Sequence, residues 1–249
     1  MKMTMNWTGP GRPGRWLSLL IGTIPLWGLY TAEAQEKKLS PGKDYLVTIG
    51  TPAGDMTVLL SEKAPLHREN FIRLAKEGFY DGLLFHRVIE GFMIQGGDPE
   101  SRDAPAGAPL GNGSHGPRIP AEFNPGLYHK KGALAAARDN NPRKESSGCQ
   151  FYIVQGKKWK EEELDRQIER ASRKPAEDQR KTYTSLGGTP HLDGNYTVFG
   201  EVIDGLDVID KVASAKTDAR NRPVENIPMK VQVKVWKKKK ISKKYNYQY

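Results

Sequence analysis

The chain has 249 residues, of which 37% are hydrophobic and 27% charged, with a formal net charge of +10. That length allows one large domain or two small ones, and it excludes a chain too short to bury a core. The single cysteine, Cys149, excludes an intrachain disulfide, so the core itself must supply the stability.

Lys2, Arg12 and Arg15 give the N-terminus a basic start, and Trp16 to Tyr30 is a nearly unbroken apolar run of 15 residues. A membrane-spanning helix needs about 20. With Ala32-Glu33-Ala34 before a possible cut at Gln35, residues 1–34 read as a signal peptide. The domain is then expected to be exported, periplasmic or secreted. If the segment stays uncleaved, it tethers the same domain to a membrane. Its removal takes away three positive charges and one negative, Glu33, and leaves about +8.

Residues 35–43 form a polar, flexible lead-in. Alternation over Asp44–Ile49 and Met56–Leu60 around Thr51-Pro52-Ala53-Gly54-Asp55 predicts a hairpin. Pro65 marks a helix start, Leu66, Phe71, Leu74 and Ala75 its apolar face, and Gly78 its stop. The stretch Phe85-His86-Arg87-Val88-Ile89 then alternates as a strand, with Phe85, Arg87 and Ile89 on one face. Gly91 permits a bend, and a second extended segment ends at Gly96-Gly97. On pattern alone, Arg87 is either a snorkelling surface charge or a functional cation beside apolar side chains.

Pro99 to Asn124 is a Gly-, Pro- and Ala-rich loop, long enough to be functional or mobile. Its Gly107–Gly113 run lacks the strand-to-helix setting and the Lys-Ser/Thr of a phosphate loop. Gly132–Ala137 suits a tightly packed strand or a pocket floor, and Cys149–Val154 is a clear strand in which Cys149 reads as a buried, inert thiol. Residues 157–186 read as an exposed helical excursion: Glu161, Glu162 and Glu163 start a helix that ends with Arg170, Arg173 and Lys174 before Pro175. It is a solvated decoration or a partner-binding helix. Strands are predicted at Asn195–Val202 and Met229–Trp236, with a short helix over Gly205–Val212 between them. Residues 237–249 form a lysine-rich tail, read as a solvated terminus, with weak, salt-sensitive contact to an acidic polymer as the alternative. Many short strands with frequent turns indicate an all-β barrel or sandwich.

The five histidines lack metal-ligand spacing, His86 reads as a packed, hydrogen-bonded core residue, and no nucleophile elbow marks a Ser–His–Asp triad.

Four blocks then agree in order with one family. Phe85-His86-Arg87-Val88-Ile89 with Gly91-Phe92-Met93-Ile94-Gln95-Gly96-Gly97-Asp98, Gly132–Arg138, Ser147–Ile153 and Leu192–Gly200 together resemble the cyclophilins, the peptidyl-prolyl cis–trans isomerases. The resemblance covers residues 44–236 outside the excursion. It implies a closed eight-stranded antiparallel barrel capped by helices, with a pocket on its outer surface. It also implies a monomer that acts on proline-containing polypeptides without cofactor, metal or nucleic acid. Arg87 is then the catalytic arginine. Phe92, Met93, Leu192 and Tyr152 (usually Phe) resemble the proline pocket wall, and Gln95, Ala137, Arg138 and Gln150 the groove for the substrate backbone. Arg138 and Tyr196 stand where many members have Asn and His, in the manner of bacterial members. His191 replaces the Trp of drug-sensitive members, which argues against tight cyclosporin binding. The hydroxyl of Tyr152 needs a partner at the pocket floor. The reading from another class is a barrel that captures proline segments without turnover.

Overall fold

The computed structural model describes residues 39–249; the expected signal peptide and residues 35–38 of the lead-in lie outside the described residues. Eight strands form one antiparallel sheet: β1 (Lys43–Thr51), β2 (Gly54–Leu60), β3 (Phe85–Ile89), β4 (Met93–Gly96), β5 (Ala133–Ala136), β6 (Phe151–Val154), β7 (Val198–Asp204) and β8 (Lys230–Lys237). Their spatial order is β3-β4-β6-β5-β7-β2-β1-β8. The alternation of each strand sends Val47, Ile49, Val58, Val88, Ile94, Leu134 and Ile153 into one core. Helix α1 (Pro65–Lys76) and helix α4 (Leu206–Ala213) add Phe71, Ile72, Leu74, Val208, Ile209 and Val212 to it.

The sheet is an open half-barrel, a correction to the closed barrel that the resemblance implied. Its end strands, β3 and β8, do not pair as strands. Backbone bonds instead join their flanks, from Phe85 N to Ile227 O at 2.9 Å and from Met229 N to Leu83 O at 2.8 Å. Leu84 and Pro228 make only an isolated bridge. Proline has no N–H to donate to a ladder, which breaks the seam there.

Two further local expectations change, in α1 and in β3. In α1 the buried face is His67, Phe71, Leu74 and Ala75, spaced for one side of a helix, while Leu66 is 48% exposed. Gly78 ends α1 as expected: its φ is +70°, and the Phe79 and Gly78 amides bond back to the Leu74 and Ala75 carbonyls. In β3 the register shifts between Phe85 and Arg87. This bulge turns Phe85 into the core beside Val88, so Phe85 does not share a face with Arg87 and Ile89.

The excursion holds two helices rather than one, α2 (Glu161–Ile168) and α3 (Glu177–Ser185). Leu164 and Ile168 pack on Tyr183, with Trp159 and Tyr128 at the edge, forming a small core of their own. The lysine-rich end is folded. Helix α5 (Lys238–Tyr245) buries Ile241 completely against Leu46 and Leu59 on the outer face of β1 and β2. A lysine run reads as solvated tail because one isoleucine among lysines is a weak signal; the apolar outer face of the sheet supplies its counterpart. Among the described residues, no helix is long and apolar enough to cross a membrane.

Candidate active site

Strand register assembles the site. Arg87 on β3 faces Gln95 on β4, Gln95 faces Tyr152 on β6, Tyr152 faces Ala135 on β5, and Ala135 faces Val198 on β7. Five strands therefore set one row of side chains across the outer face of the sheet, opposite the main core. The turn that brings β3 back as β4 closes with Phe92 N bonded to Ile89 O at 3.0 Å. It needs Gly91, whose φ is +73°.

The polar end of the row is a directed chain. The Arg87 Nη1 donates to Gln95 Oε1 at 3.2 Å, Gln95 Nε2 donates to Gln150 Oε1 at 3.0 Å, and Gln150 Nε2 donates to the carbonyls of Gly111 (3.0 Å) and Gly113 (2.7 Å). A guanidinium only donates, so Gln95 must turn its oxygen to Arg87, and each later amide then has its orientation set. The buried carboxylate of Asp98 accepts from Gly111 N at 2.5 Å, which pins the long glycine-rich loop to the same place. Burial pulls the pKa of Arg87 below its ordinary value, yet a guanidinium so placed stays charged at neutral pH. Among the described residues no carboxylate pairs with it.

The apolar end is a second cluster, separate from the main core. Met93, Ala135, Ala137, Tyr152, Val154 and Val198 are buried in it, and Phe92, Leu192 and Tyr196 pack on it partly exposed. His191 lies parallel to the Phe92 ring at 5.8 Å. Its pKa is lowered, by burial first and by nearby His129 and Arg170 next, which keeps it neutral at neutral pH. Arg138 is turned onto the site's own wall, stacking 4.6 Å above the Tyr196 ring and donating Nε to Asn195 O at 2.9 Å. Ala137 bonds its amide to Gln150 O and its carbonyl to Ser147 N, so it offers the groove its methyl group rather than a free backbone pair.

The Tyr152 hydroxyl finds its partner in a residue that sequence reasoning missed. It lies 2.9 Å from His129 Nε2, whose Nδ1 lies 2.8 Å from Asp193 Oδ1. Asp193 also accepts from the His129 amide at 3.0 Å and from the Tyr183 hydroxyl at 2.7 Å. Because the carboxylate accepts, His129 carries its proton on Nδ1, and Nε2 is free to accept from Tyr152. Tyr183 comes from the excursion, so that segment is tied to the floor of the apolar cluster. The need for a partner was visible in the sequence. Its identity was not, since His129 and Tyr152 are 23 residues apart and His129 and Asp193 are 64 apart.

Other expected roles resolve simply. Cys149 is buried and its thiol pKa is pushed up by that burial, the signature of an inert thiol. His86 is packed as expected, but neither ring nitrogen has a hydrogen-bond partner. Burial lowers its pKa to about 4. Among the described residues no group of three His, Cys, Asp or Glu side chains could hold a metal ion.

Fold and site together define a half-barrel whose outer face carries an apolar pocket beside an amide-anchored arginine. The model of the cyclophilin-type peptidyl-prolyl cis-trans isomerases matches residues 46–233, and the chain belongs to that family. A Staphylococcus haemolyticus protein named as a peptidyl-prolyl cis-trans isomerase is 37% identical over 182 residues, covering 73% of this chain and 86% of that protein. A Streptococcus pyogenes protein named as a bifunctional phosphatase/peptidyl-prolyl cis-trans isomerase is 42% identical over 187 residues; the match covers 73% of this chain but only 37% of that protein. The crystal structure of a Cryptosporidium parvum cyclophilin-type isomerase superposes with a TM-score of 0.57 at 25% identity, over 77% of this chain and 98% of the other.

Proposed function

We propose that this protein accelerates rotation about X–Pro bonds in polypeptides that fold outside the cytoplasm, with Arg87 as the catalytic group. Uncatalysed rotation is slow because amide resonance sets a barrier of about 18–20 kcal/mol. In the twisted transition state the lone pair localises on the prolyl nitrogen. A donor aimed there is stronger for that state than for the planar ground state, which is how binding becomes catalysis. Arg87 suits this role: Gln95 holds one arm of the fork while the other N–H groups are free beside the apolar pocket.

Met93, Phe92, Tyr152 and Leu192 would grip the proline ring and exclude water, with His191 and Tyr196 at the rim. Gln95 and Gln150 fix the arginine, and the wall from Ala137 to Arg138 borders the groove for the flanking backbone. A related Cryptosporidium structure was determined in the presence of the dipeptide Ala-Pro, which supports a proline-containing ligand here.

The observation that carries this reading is the row Arg87–Gln95–Tyr152 in register across three strands. Its test is isomerase turnover of a proline peptide by residues 39–249, with Arg87→Ala alongside. A charge-assisted hydrogen bond contributes about 1.5–3 kcal/mol, so the variant should lose about tenfold to a hundredfold in kcat/KM while still binding peptide. Binding without turnover in the unaltered protein would leave the capture module as the better description. Export is tested by fractionating cells that express the full chain; a wholly cytoplasmic protein would overturn that part.

A further inference from the structure

Besides the apolar cluster there is a cleft of about 450 Å³, bordered by Arg87, Gln95, the loop 108–112 and the turn carrying Asp218, Arg220 and Arg222, that shares no lining residue with that cluster. None of the roles assigned above uses it. Its shape is set by hydrogen bonds within the fold. Asp218 accepts through Oδ1 from the amides of Arg220 (2.8 Å) and Arg222 (2.9 Å), and its own amide donates to Arg222 O at 2.8 Å. Asn221 takes the left-handed conformation, with φ at +63°, at the tip of this turn. The turn is docked beside the catalytic strand, because Val88 N donates to Asn221 O at 2.8 Å. From the same turn, buried Arg222 reaches across to the far wall and donates to Ala108 O at 2.6 Å.

The charges around this cleft are unequal. Three guanidinium groups face one carboxylate, and His86 on its wall is neutral at neutral pH. Arg222 is occupied by Ala108 O and by Asn226 Oδ1 at 3.0 Å. Asp218 is occupied by the turn amides. Arg87 and Arg220 are left: among the described residues neither forms a close ion pair, while Asp218 on the same turn stays within electrostatic reach of Arg220. Arg220 is exposed on a hydrogen-bonded turn, so little of its backbone must be ordered when it meets a ligand. Two guanidinium groups without a close ion-pair partner, on a walled cleft whose lining carries three guanidinium groups and one carboxylate, suit an anion tethered to the substrate.

We propose that this cleft is a subsite for an acidic side chain, Asp or Glu, lying within a few residues of the isomerised proline, and that Arg220 is its specificity-determining residue. The proposal rests on the isomerase reading for the identity of the ligand, but its test does not depend on turnover. The probes are one proline peptide and two series derived from it, in which Glu or Lys replaces each flanking position in turn on both sides of proline. Affinity is read by fluorescence anisotropy and turnover by the isomerase assay, at low and high salt.

A partly solvated ion pair of this kind is modest. The expected preference for Glu over Lys at the responsive position is therefore about five- to tenfold at low salt, and it should shrink as salt rises. Arg220→Gln should abolish the preference. Arg220→Glu should invert it. Equal binding of the Glu and Lys peptides at every position would overturn the subsite, as would a preference that Arg220→Glu leaves untouched. Failure of the neutral peptide to isomerise while the charge preference holds would overturn the isomerase reading instead and keep the subsite.

Discussion

The Tyr152 hydroxyl stands 2.9 Å from His129 Nε2, and this contact joins the floor of the apolar pocket to Asp193 and, through it, to Tyr183 of the excursion. All four side chains are buried, so removing one partner strands a polar group away from water. His129→Ala should lower stability by about 2–4 kcal/mol, because it orphans both Tyr152 and a lone pair of Asp193 and leaves a cavity. Tyr152→Phe leaves only an acceptor nitrogen unmet and should lower it by about 1 kcal/mol. Urea unfolding checks the order; a Tyr152→Phe protein less stable than His129→Ala would contradict the direction of this hydrogen bond.

Gln95 is placed to act through Arg87. Gln95→Leu removes the acceptor that orients the guanidinium and leaves Gln150 Oε1 without its donor. Turnover of a proline peptide should fall about five- to tenfold, mostly in kcat, since the apolar pocket that sets binding is untouched. A loss confined to KM would assign Gln95 to substrate binding instead.

Three histidines make the fold sensitive to acid. Burial lowers the pKa of His67, His86 and His191, that of His86 to about 4 from an ordinary 6.5. The unfolded chain therefore takes up protons first as pH falls, and the native state is penalised. Stability should be full above about pH 6.5 and decline as pH drops through about 4, with His86 alone contributing on the order of 3 kcal/mol. His86→Leu should flatten the dependence of the urea midpoint between pH 7 and pH 4.5. An unchanged slope would show that the imidazole is not buried in the neutral form.

Ile241 is the one fully buried residue of α5. Ile241→Asp would place a charge against Leu46 and Leu59, and since that cluster is separate from the main core, the helix should detach rather than the core unfold. The expected result is faster tryptic cleavage within residues 237–244 with little change in isomerase turnover. Equal cleavage rates in the two proteins would mean that α5 is already undocked in solution.

Several features were legible because they are local. Alternation located β1 and β2, Pro65 and Gly78 bounded α1, and the run from Phe85 to Asp98 carried Arg87, Phe92, Met93 and Gln95 together. What escaped depends on neighbours distant in sequence. The bulge at His86 is invisible to a period-two pattern, yet it alone separates Phe85 from the face of Arg87. Ile241 among lysines looks like tail until the apolar patch of Leu46 and Leu59 is known to face it.

By itself, the sequence determined which side chains could do the chemistry, because four blocks in one family's order carry an arginine, two glutamines and an apolar wall, whereas the strand pattern alone left Arg87 either a surface charge or a functional cation. Only the tertiary structure decided how they work together. The pairing of β3, β4, β6, β5 and β7 aligns them in one row, and the seam broken at Pro228 leaves the barrel half closed. The folding of loop 108–112 and the 218–222 turn beside Arg87 makes the second cleft. Register and loop docking are set by hydrogen bonds and packing between segments far apart in the chain, and no local pattern encodes those.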